Sequence, residues 1–436
     1  MQPTKSLGQN FLHDQNLAEW IVAQSGLQPG DAWVELGPGL GALTEFALAR
    51  SEKGFVIEKD GRLAGFLNER FPDLEVLHGD AAEFDVRDLF ARGPVKVIGN
   101  LPYYVSSQIL FGFTAEPSPV DSLVFTLQKE LAERLSAGPR TKEYGALTLL
   151  IGRRWKTKYL RTLPGSVFLP APKVDSAIIK LTRKTPDEIA PCDGIRFTAL
   201  VKQGFSQRRK QLRKMLASYA LDWPKLTSEL GVPETVRAEE LSLDQWVALT
   251  NFVTEGNVTG KTVSASGAQD VHGEIFDVVN EADEVIRRET RHTVHKEKLL
   301  HRAIHIFVFN ERGELFLQRR SQWKDMHPRA WDSSAAGHVN SGQHYDDTAP
   351  RELEEELGVK AAVTLVGSIS ARPETGWEHV RLYKAVHEGP FSLEPAEIET
   401  GGFFTLEQIR RWIAARPGDF AHGFLECFRL FESKGV

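Results

Sequence analysis

The amino-acid sequence predicts an α/β protein in two parts. Three observations predict it. Residues 20–182 alternate short apolar runs with stretches of helical period, the pattern of βαβ units and a parallel sheet. Residues 194–252 lose those runs and read as mostly helical. After a Gly/Ser/Thr/Val segment at 255–272 with no apolar period, read as a linker, β-type runs return from residue 273. A chain of 436 residues has room for two or three such domains.

In chain order, strands are expected at 32–36, 54–58, 74–77, 95–98 and 122–127, with a helix at 42–49 and further helical stretches between them. Helices are expected at 196–219, 224–230 and 243–252. In the last part, strands are expected at 274–279, 303–309 and 314–318, the last two joined across an Asn310-Glu311-Arg312-Gly313 turn. The expected domains are 1–184, a small helical domain at 185–254, the linker, and 273–436.

Composition narrows the classes. The two cysteines, Cys192 and Cys427, are too far apart in sequence for a metal motif and give no disulfide framework, as in a reducing cytosol. The start, Met1-Gln2-Pro3-Thr4-Lys5, has no apolar signal core, and no run of about 18 apolar residues exists to span a membrane. A cytoplasmic protein is expected. The net charge of −6 hides an asymmetry: residues 1–254 carry 31 basic and 30 acidic side chains, the remainder 22 and 29. Residues 153–214 alone hold 16 basic against 4 acidic, a polyanion footprint that a solvated helix face does not explain.

Asn100-Leu101-Pro102-Tyr103 follows the apolar run at 95–99, where a strand ends in a loop. The amino group of adenine is a poor nucleophile because its lone pair is delocalised into the ring. The Asn100 side-chain oxygen and the Leu101 carbonyl can both accept from such an amine and hold its lone pair toward a methyl donor, while Tyr103 stacks on the base. Gly37-Pro38-Gly39-Leu40-Gly41 follows the first strand, where glycines let backbone approach a ligand closely. It is Gly-x-Gly-x-Gly, not the Gly-x-Gly-x-x-Gly of dinucleotide sites. Glu58 ends the second strand, where a carboxylate can accept from ribose hydroxyls, and Asp80 ends the third, where it can accept from an adenine amine. An S-adenosylmethionine site needs these parts and no pyrophosphate cradle.

With these residues the chain resembles the ribosomal RNA adenine dimethyltransferases of the Ksg/Dim type, over residues 5 to about 252. Lys5-Ser6-Leu7-Gly8-Gln9-Asn10-Phe11-Leu12 looks like that family's N-terminal signature, and 128–130, 168–177 and 205–213 look like its later motifs. The resemblance implies a Rossmann-like S-adenosylmethionine-dependent methyltransferase with a small helical domain. It implies donor binding by Asn10, Leu12, Gly37, Gly39, Glu58, Asp80 and Asn100, and catalysis by Asn100, Leu101, Pro102 and Tyr103. It implies RNA contacts by Phe168, as a second stacking ring, and by Arg208, Arg209, Lys210 and Arg213 on a basic helix. The implied reaction is dimethylation of N6 of two adjacent adenines in a hairpin near the 3′ end of small-subunit rRNA, in a pre-30S particle, without a metal. Two alternatives stand beside it: a large-subunit rRNA methyltransferase of the macrolide-resistance type, and a ribosome-assembly factor that keeps the fold without catalysis.

Further on, Gly337-His338 precedes Arg351-Glu352-Leu353-Glu354-Glu355-Glu356-Leu357-Gly358-Val359 by a fixed gap. On a helix Glu352, Glu355 and Glu356 share one face and repel unless a cation sits among them. Such oxygen ligands suit Mg²⁺ or Mn²⁺ bridging to phosphates. This resembles the Nudix hydrolase box, over roughly 273–436, and implies an α/β/α-sandwich. It also implies metal ligation by Glu352, Glu355 and Glu356, Glu352 as ligand or general base, Arg351 orienting the carboxylates, and a small-molecule diphosphate as substrate. Two departures stand out. Gln343 replaces the first acid of the box, and Pro350 is expected to delay the helix start to Asp347 or Thr348. Flanking residues 300–305 and 331–338 look like isopentenyl diphosphate isomerase-related Nudix proteins, but Ala336 stands where the isomerase has its cysteine, so isomerase activity is not expected. His295, His301 and His338 are secondary ligand candidates, since single histidines more often pack or cap.

Overall fold

A computed structural model describes residues 9–254, 274–321, 324, 326–394 and 397–435. Residues 5–8 of the N-terminal signature and the expected linker at 255–272 lie outside the described residues. The chain forms two compact units that divide at 265/266.

The first unit contains β1 (Phe11–Leu12), α1 (Gln15–Ser25), β2 (Ala32–Leu36), α2 (Thr44–Leu48), β3 (Gly54–Glu58), α3 (Gly61–Arg70) and β4 (Glu75–His78). There follow β5 (Val95–Asn100), α4 (Ser106–Thr114), β6 (Val120–Gln128), α5 (Lys129–Ser136), α6 (Ala146–Gly152), β7 (Trp155–Leu163), β8 (Phe168–Leu169) and β9 (Ser176–Arg183). The main sheet has seven strands in the order β4-β3-β2-β5-β6-β9-β7. Its first five run parallel, and β9 and β7 join antiparallel. The parallel expectation therefore covers the first five strands only. Strand residues alternate between two buried faces: Val34, Leu36 and Val97 pack in one core, Trp33, Val56 and Ile98 in another with Ile21 and Val22 of α1. Burial on both faces is why these strands read as continuous apolar runs. The chain leaves β2 toward β3 on one side and β5 lies on the other, so the carboxyl ends of β2, β3 and β5 open onto one crevice, the usual ligand position in such sheets.

The helical layer has α7 (Gly194–Gly204), α8 (Leu212–Met215), α9 (Trp223–Leu230) and α10 (Leu243–Thr254). Its core is built on Trp223 and Trp246 and also takes in Tyr144 and Leu149 from before β7. The single helix expected at 196–219 is not formed. α7 stops at Gly204, a 3₁₀ turn covers Phe205–Gln207, and residues 208–211 form a turn pinned by a bridge between Gln211 and Arg237. The chain leaves the helical region at Gln211, whose ψ is 141°, and Gly204 marks a close approach just before it. A Cβ on Gly204 would lie 2.5 Å from the Trp246 ring, so the backbone presses against the indole there.

The second unit has β10 (Ile275–Val279), β11 (Val285–Thr290), α11 (Arg291–Glu297), β12 (His301–Phe309), β13 (Leu315–Arg320), β14 (Trp331–Asp332), β15 (Ala335–His338) and α12 (Tyr345–Leu357). Then come β16 (Thr364–Ile369), β17 (Glu378–Val386), β18 (Ile398–Phe404), α13 (Leu406–Ala415) and α14 (His422–Lys434). Strands β14-β13-β12-β17-β16 form a mixed sheet, with β15 on β12 and β18 on β13, while β10 and β11 form a separate hairpin. Ala349, Leu353 and Leu357 of α12 pack on one side with Ile304 and Ile306, and Phe424 and Phe431 of α14 pack against Phe307. Helix, sheet and helix make the expected sandwich.

Gly204→Ala should cost about 1–3 kcal/mol by overpacking the Trp246 contact, read as a lower denaturant midpoint for the first unit. An unchanged midpoint would mean the contact accommodates a methyl group.

Candidate functional site

Gly37, Gly39 and Gly41 all have left-handed backbone, with φ of +65°, +59° and +82°. A side chain there is strained, and at Gly39 a Cβ would also sit 3.0 Å from the Phe11 ring. The turn curls around Glu58. One Glu58 oxygen accepts from the Gly39 N–H at 3.1 Å and the other from the Asp60 N–H at 2.8 Å, and burial raises the pKa of the carboxyl. Asp80, just past β4, accepts from Lys59 at 2.5 Å and from the Ala82 N–H at 2.9 Å. Asn10, Leu12, Gly37, Gly39, Glu58, Asp80, Asn100, Leu101, Pro102 and Tyr103 all line one cleft.

Asn100 ends β5 at the centre of the sheet. Its Nδ2 donates to the Asn10 carbonyl at 2.8 Å, so its Oδ1 is left as the acceptor end of the amide. The Leu101 N–H is spent on the Thr126 carbonyl at 3.0 Å, which fixes the backbone that carries the Leu101 oxygen. The Tyr103 hydroxyl is held by the Ser176 hydroxyl, and the ring is half-buried.

Phe168 does not sit where the sequence reading put it. It is 3% exposed, pairs with Leu12 in the β1–β8 ladder and belongs to the core around α1. An apolar ring in a short strand was drawn into the core, so as it stands it offers no face to a base. Tyr104, unremarked in the sequence, lines the same cleft and is 59% exposed. A second aromatic following Tyr103 was the available signal. Arg208, Arg209, Lys210 and Arg213 are exposed, but the first three lie on the turn after α7 rather than on a helix, and Arg213 is on α8. Arg208 is tied to Glu239 and the Tyr144 carbonyl, and Arg213 to Glu234. Part of the basic excess is internal: Arg153 bonds the Cys192 carbonyl over the Phe197 ring, and Arg183 pairs with Glu116 over Trp155.

Glu35 was also missed, as a lone acid inside an apolar run. It is 1% exposed beside the cleft and accepts from the Thr44 hydroxyl at 2.6 Å. Burial, with the Glu58 charge nearby, pushes its pKa up to about 8.

In the second unit α12 begins at Tyr345, earlier than expected, and carries Pro350 inside it. The proline has no N–H to give to Asp346, and the helix continues past it. Glu352 and Glu356 are drawn inward and burial raises both pKa values, whereas Glu355 is exposed. Glu356 accepts from Gln318 Nε2 at 3.1 Å and the Ala336 N–H at 3.3 Å. Gly337 is required by close approach: a Cβ there would be 2.2 Å from the Glu352 carboxyl carbon. Arg351 pairs with Glu352 at 2.7 Å and Glu355 at 2.8 Å. Gln343 carries a buried side-chain oxygen with no hydrogen-bond partner. Lys324, not foreseen, pairs with Glu397 and places its charge near Glu356.

Two families match the chain. The ribosomal RNA adenine dimethylase family matches residues 2–255, and the NUDIX domain matches residues 299–424. The chain belongs to the ribosomal RNA adenine dimethylase family and carries a NUDIX domain behind it. A "Ribosomal RNA small subunit methyltransferase A" from Alkaliphilus metalliredigens is 41% identical over 263 residues, covering 57% of this chain and 91% of that protein. A protein of the same name from Azorhizobium caulinodans is 40% identical over 272 residues, covering 61% and 92%. A crystal structure of a dimethyladenosine transferase from Plasmodium falciparum covers 56% of this chain and 98% of its own, at 24% identity and a TM-score of 0.48.

Because Glu35 holds its proton more tightly folded than unfolded, its contribution to stability is full below the ordinary carboxyl range, falls as pH rises, and is gone above about pH 8. Glu35→Gln should therefore lose little at about pH 5 and gain on wild type at about pH 9, by denaturant titration. Parallel pH curves for the two proteins would refute the assignment.

Proposed function

We propose that the first unit transfers methyl groups from S-adenosylmethionine to N6 of two adjacent adenines in a hairpin near the 3′ end of small-subunit rRNA, within a pre-30S particle. The observation that carries this is the Asn100 amide, held by Asn10 with its oxygen as acceptor, in a cleft shared with the glycine turn, Glu58 and Asp80. The residues present fit the donor. The glycine turn leaves room a Cβ would fill, and the two strand-end carboxylates suit hydroxyl and amine donors. When bound, S-adenosylmethionine supplies a methyl group on a positively charged sulfur.

The chain's own work is positioning. Asn100 Oδ1 and the Leu101 carbonyl accept from the adenine amine and turn its lone pair out of conjugation. Pro102 sets the corner of the loop. Fixed geometry of this kind supplies roughly 7–11 kcal/mol of a two-reactant barrier. With Phe168 in the core, Tyr103 and Tyr104 are the rings that stack on extruded bases. The exposed Arg209, Lys210, Lys202 and Lys214 bind phosphates, so affinity falls with salt.

The second unit is a diphosphate hydrolase in this reading. Glu352, Glu355 and Glu356 fit a hard cation, Mg²⁺ or Mn²⁺, because they gather carboxylate oxygens on one helix face and burial raises the pKa of Glu352 and Glu356 even with Arg351 and Lys324 nearby. When bound, that ion would supply Lewis acidity and an activated water; Glu352 would serve as a ligand or take a proton.

Small-subunit particles from a strain lacking the endogenous enzyme should gain dimethyladenosine, seen by mass spectrometry, on incubation with this protein and donor. Asn100→Ala should slow transfer about 10²-fold or more, and Tyr104→Ala should cost about 1–3 kcal/mol in kcat/KM. Transfer by Asn100→Ala at the wild-type rate would defeat the mechanism. For the second unit, phosphate release with Mg²⁺ from a panel of nucleoside and isoprenoid diphosphates should be lost in Glu356→Gln. Silence of the wild type across the panel would point to a binding module.

A further inference from the structure

Lys59 stands between the two acids assigned to the donor, next to Glu58 in the chain, and lines the same cleft as Asp80. Its backbone is held, because His78 Nε2 donates to the Lys59 carbonyl at 3.2 Å. Its side chain is 47% exposed, and Nζ crosses to Asp80 Oδ2 at 2.5 Å. The other Asp80 oxygen, Oδ1, accepts from the Ala82 N–H at 2.9 Å. Both oxygens of this carboxylate are therefore engaged within the protein. An adenine amine that approaches Asp80 meets an ammonium already bonded there. The bond to Asp80 raises the pKa of that ammonium, and the Tyr104 hydroxyl adds to the shift, which places the charge near both. Tyr104 lines the cleft too, with its ring open to solvent.

We propose that Lys59 is a positioning residue that guards Asp80. It holds the carboxylate until the adenine amine of the donor displaces it, and the freed ammonium then meets an RNA phosphate beside Tyr104. Donor binding thereby favours RNA binding. The proposal rests on the reading of this cleft as a donor site.

The strength of the pair suits such an exchange. A lysine–carboxylate pair with an exposed ammonium is weak, worth about 2- to 5-fold in an equilibrium constant. An arriving hydrogen-bond donor can replace it, whereas a fully buried pair would resist. The flexible lysine stem lets the charge swing away while the backbone stays fixed. Where one ligand frees a group that a second ligand uses, each raises the affinity of the other by the same factor.

The test is calorimetric titration of the full chain with S-adenosylhomocysteine, which carries the same adenine and transfers no methyl group. Lys59→Met keeps the stem and removes the charge, so it should bind this ligand about 2- to 5-fold more tightly than wild type. Lys59→Arg should match wild type. An analogue without the adenine amino group makes no demand on Asp80 and should gain nothing from Lys59→Met, whereas a merely structural role would move both ligands alike. In filter binding to small-subunit particles, S-adenosylhomocysteine should tighten wild type about 2- to 5-fold and leave Lys59→Met unchanged. Equal S-adenosylhomocysteine affinity in Lys59→Met and wild type, an equal gain with the analogue, or the same ligand response of particle binding in both proteins would overturn the proposal and leave the donor site standing. Wild type that binds no S-adenosylhomocysteine would overturn both. If Lys59→Met fails to fold by circular dichroism, labelling of wild type with acetic anhydride decides. S-adenosylhomocysteine should raise the labelling of Lys59, read by peptide mass spectrometry, and equal labelling with and without it would overturn the proposal.

Discussion

In the proposed mechanism, everything turns on the 2.8 Å hydrogen bond from Asn100 Nδ2 to the Asn10 carbonyl. An amide has a donor end and an acceptor end, and only the acceptor end helps a nucleophilic amine. The bond selects that end by spending the other on backbone. The elements around it hold both partners in place. β5 is central and buried, so Asn100 is presented from a rigid strand end, and β1 is anchored by pairing with β8, so the Asn10 carbonyl stays in place. The burial of Phe168 is part of that anchoring, since it pairs with Leu12 two residues from Asn10.

Much of this was legible because it is local. The glycine turn needs positive φ at Gly37, Gly39 and Gly41, and that requirement is written in residue type. Strand-end acids follow from spacing, and five strands buried on both faces announce themselves as apolar runs. What failed was non-local. Nothing in 196–219 shows that Gln211 will turn extended to bridge Arg237, or that Gly204 will meet the Trp246 ring more than 40 residues on. Phe168 looked like a loop ring because its two-residue partner strand lies over 150 residues away. Glu35 and Tyr104 were hidden by their neighbours, one within a strand and one behind a better-known motif.

The second unit shows the same division. The face shared by Glu352, Glu355 and Glu356 follows from helical period, but Pro350 misled the reading of where α12 begins. A helix packed on a sheet through Ala349, Leu353 and Leu357 tolerates one missing hydrogen bond, because burial holds it in place. His295, His301 and His338 carry little signal one at a time. Only the fold brings α11, β12 and β15 together and turns separate packing residues into one nitrogen-rich cluster.

The most direct test of the central claim is Asn100→Asp, scored by mass spectrometry of small-subunit rRNA after incubation with the donor. Aspartate keeps a side-chain oxygen at that position but cannot donate to the Asn10 carbonyl and places a negative charge against it. If the oriented amide is what matters, dimethyladenosine yield should fall as far as in Asn100→Ala, with the protein folded. Transfer by Asn100→Asp at the wild-type rate would show that an oxygen alone suffices and that the bond to Asn10 does not set the chemistry.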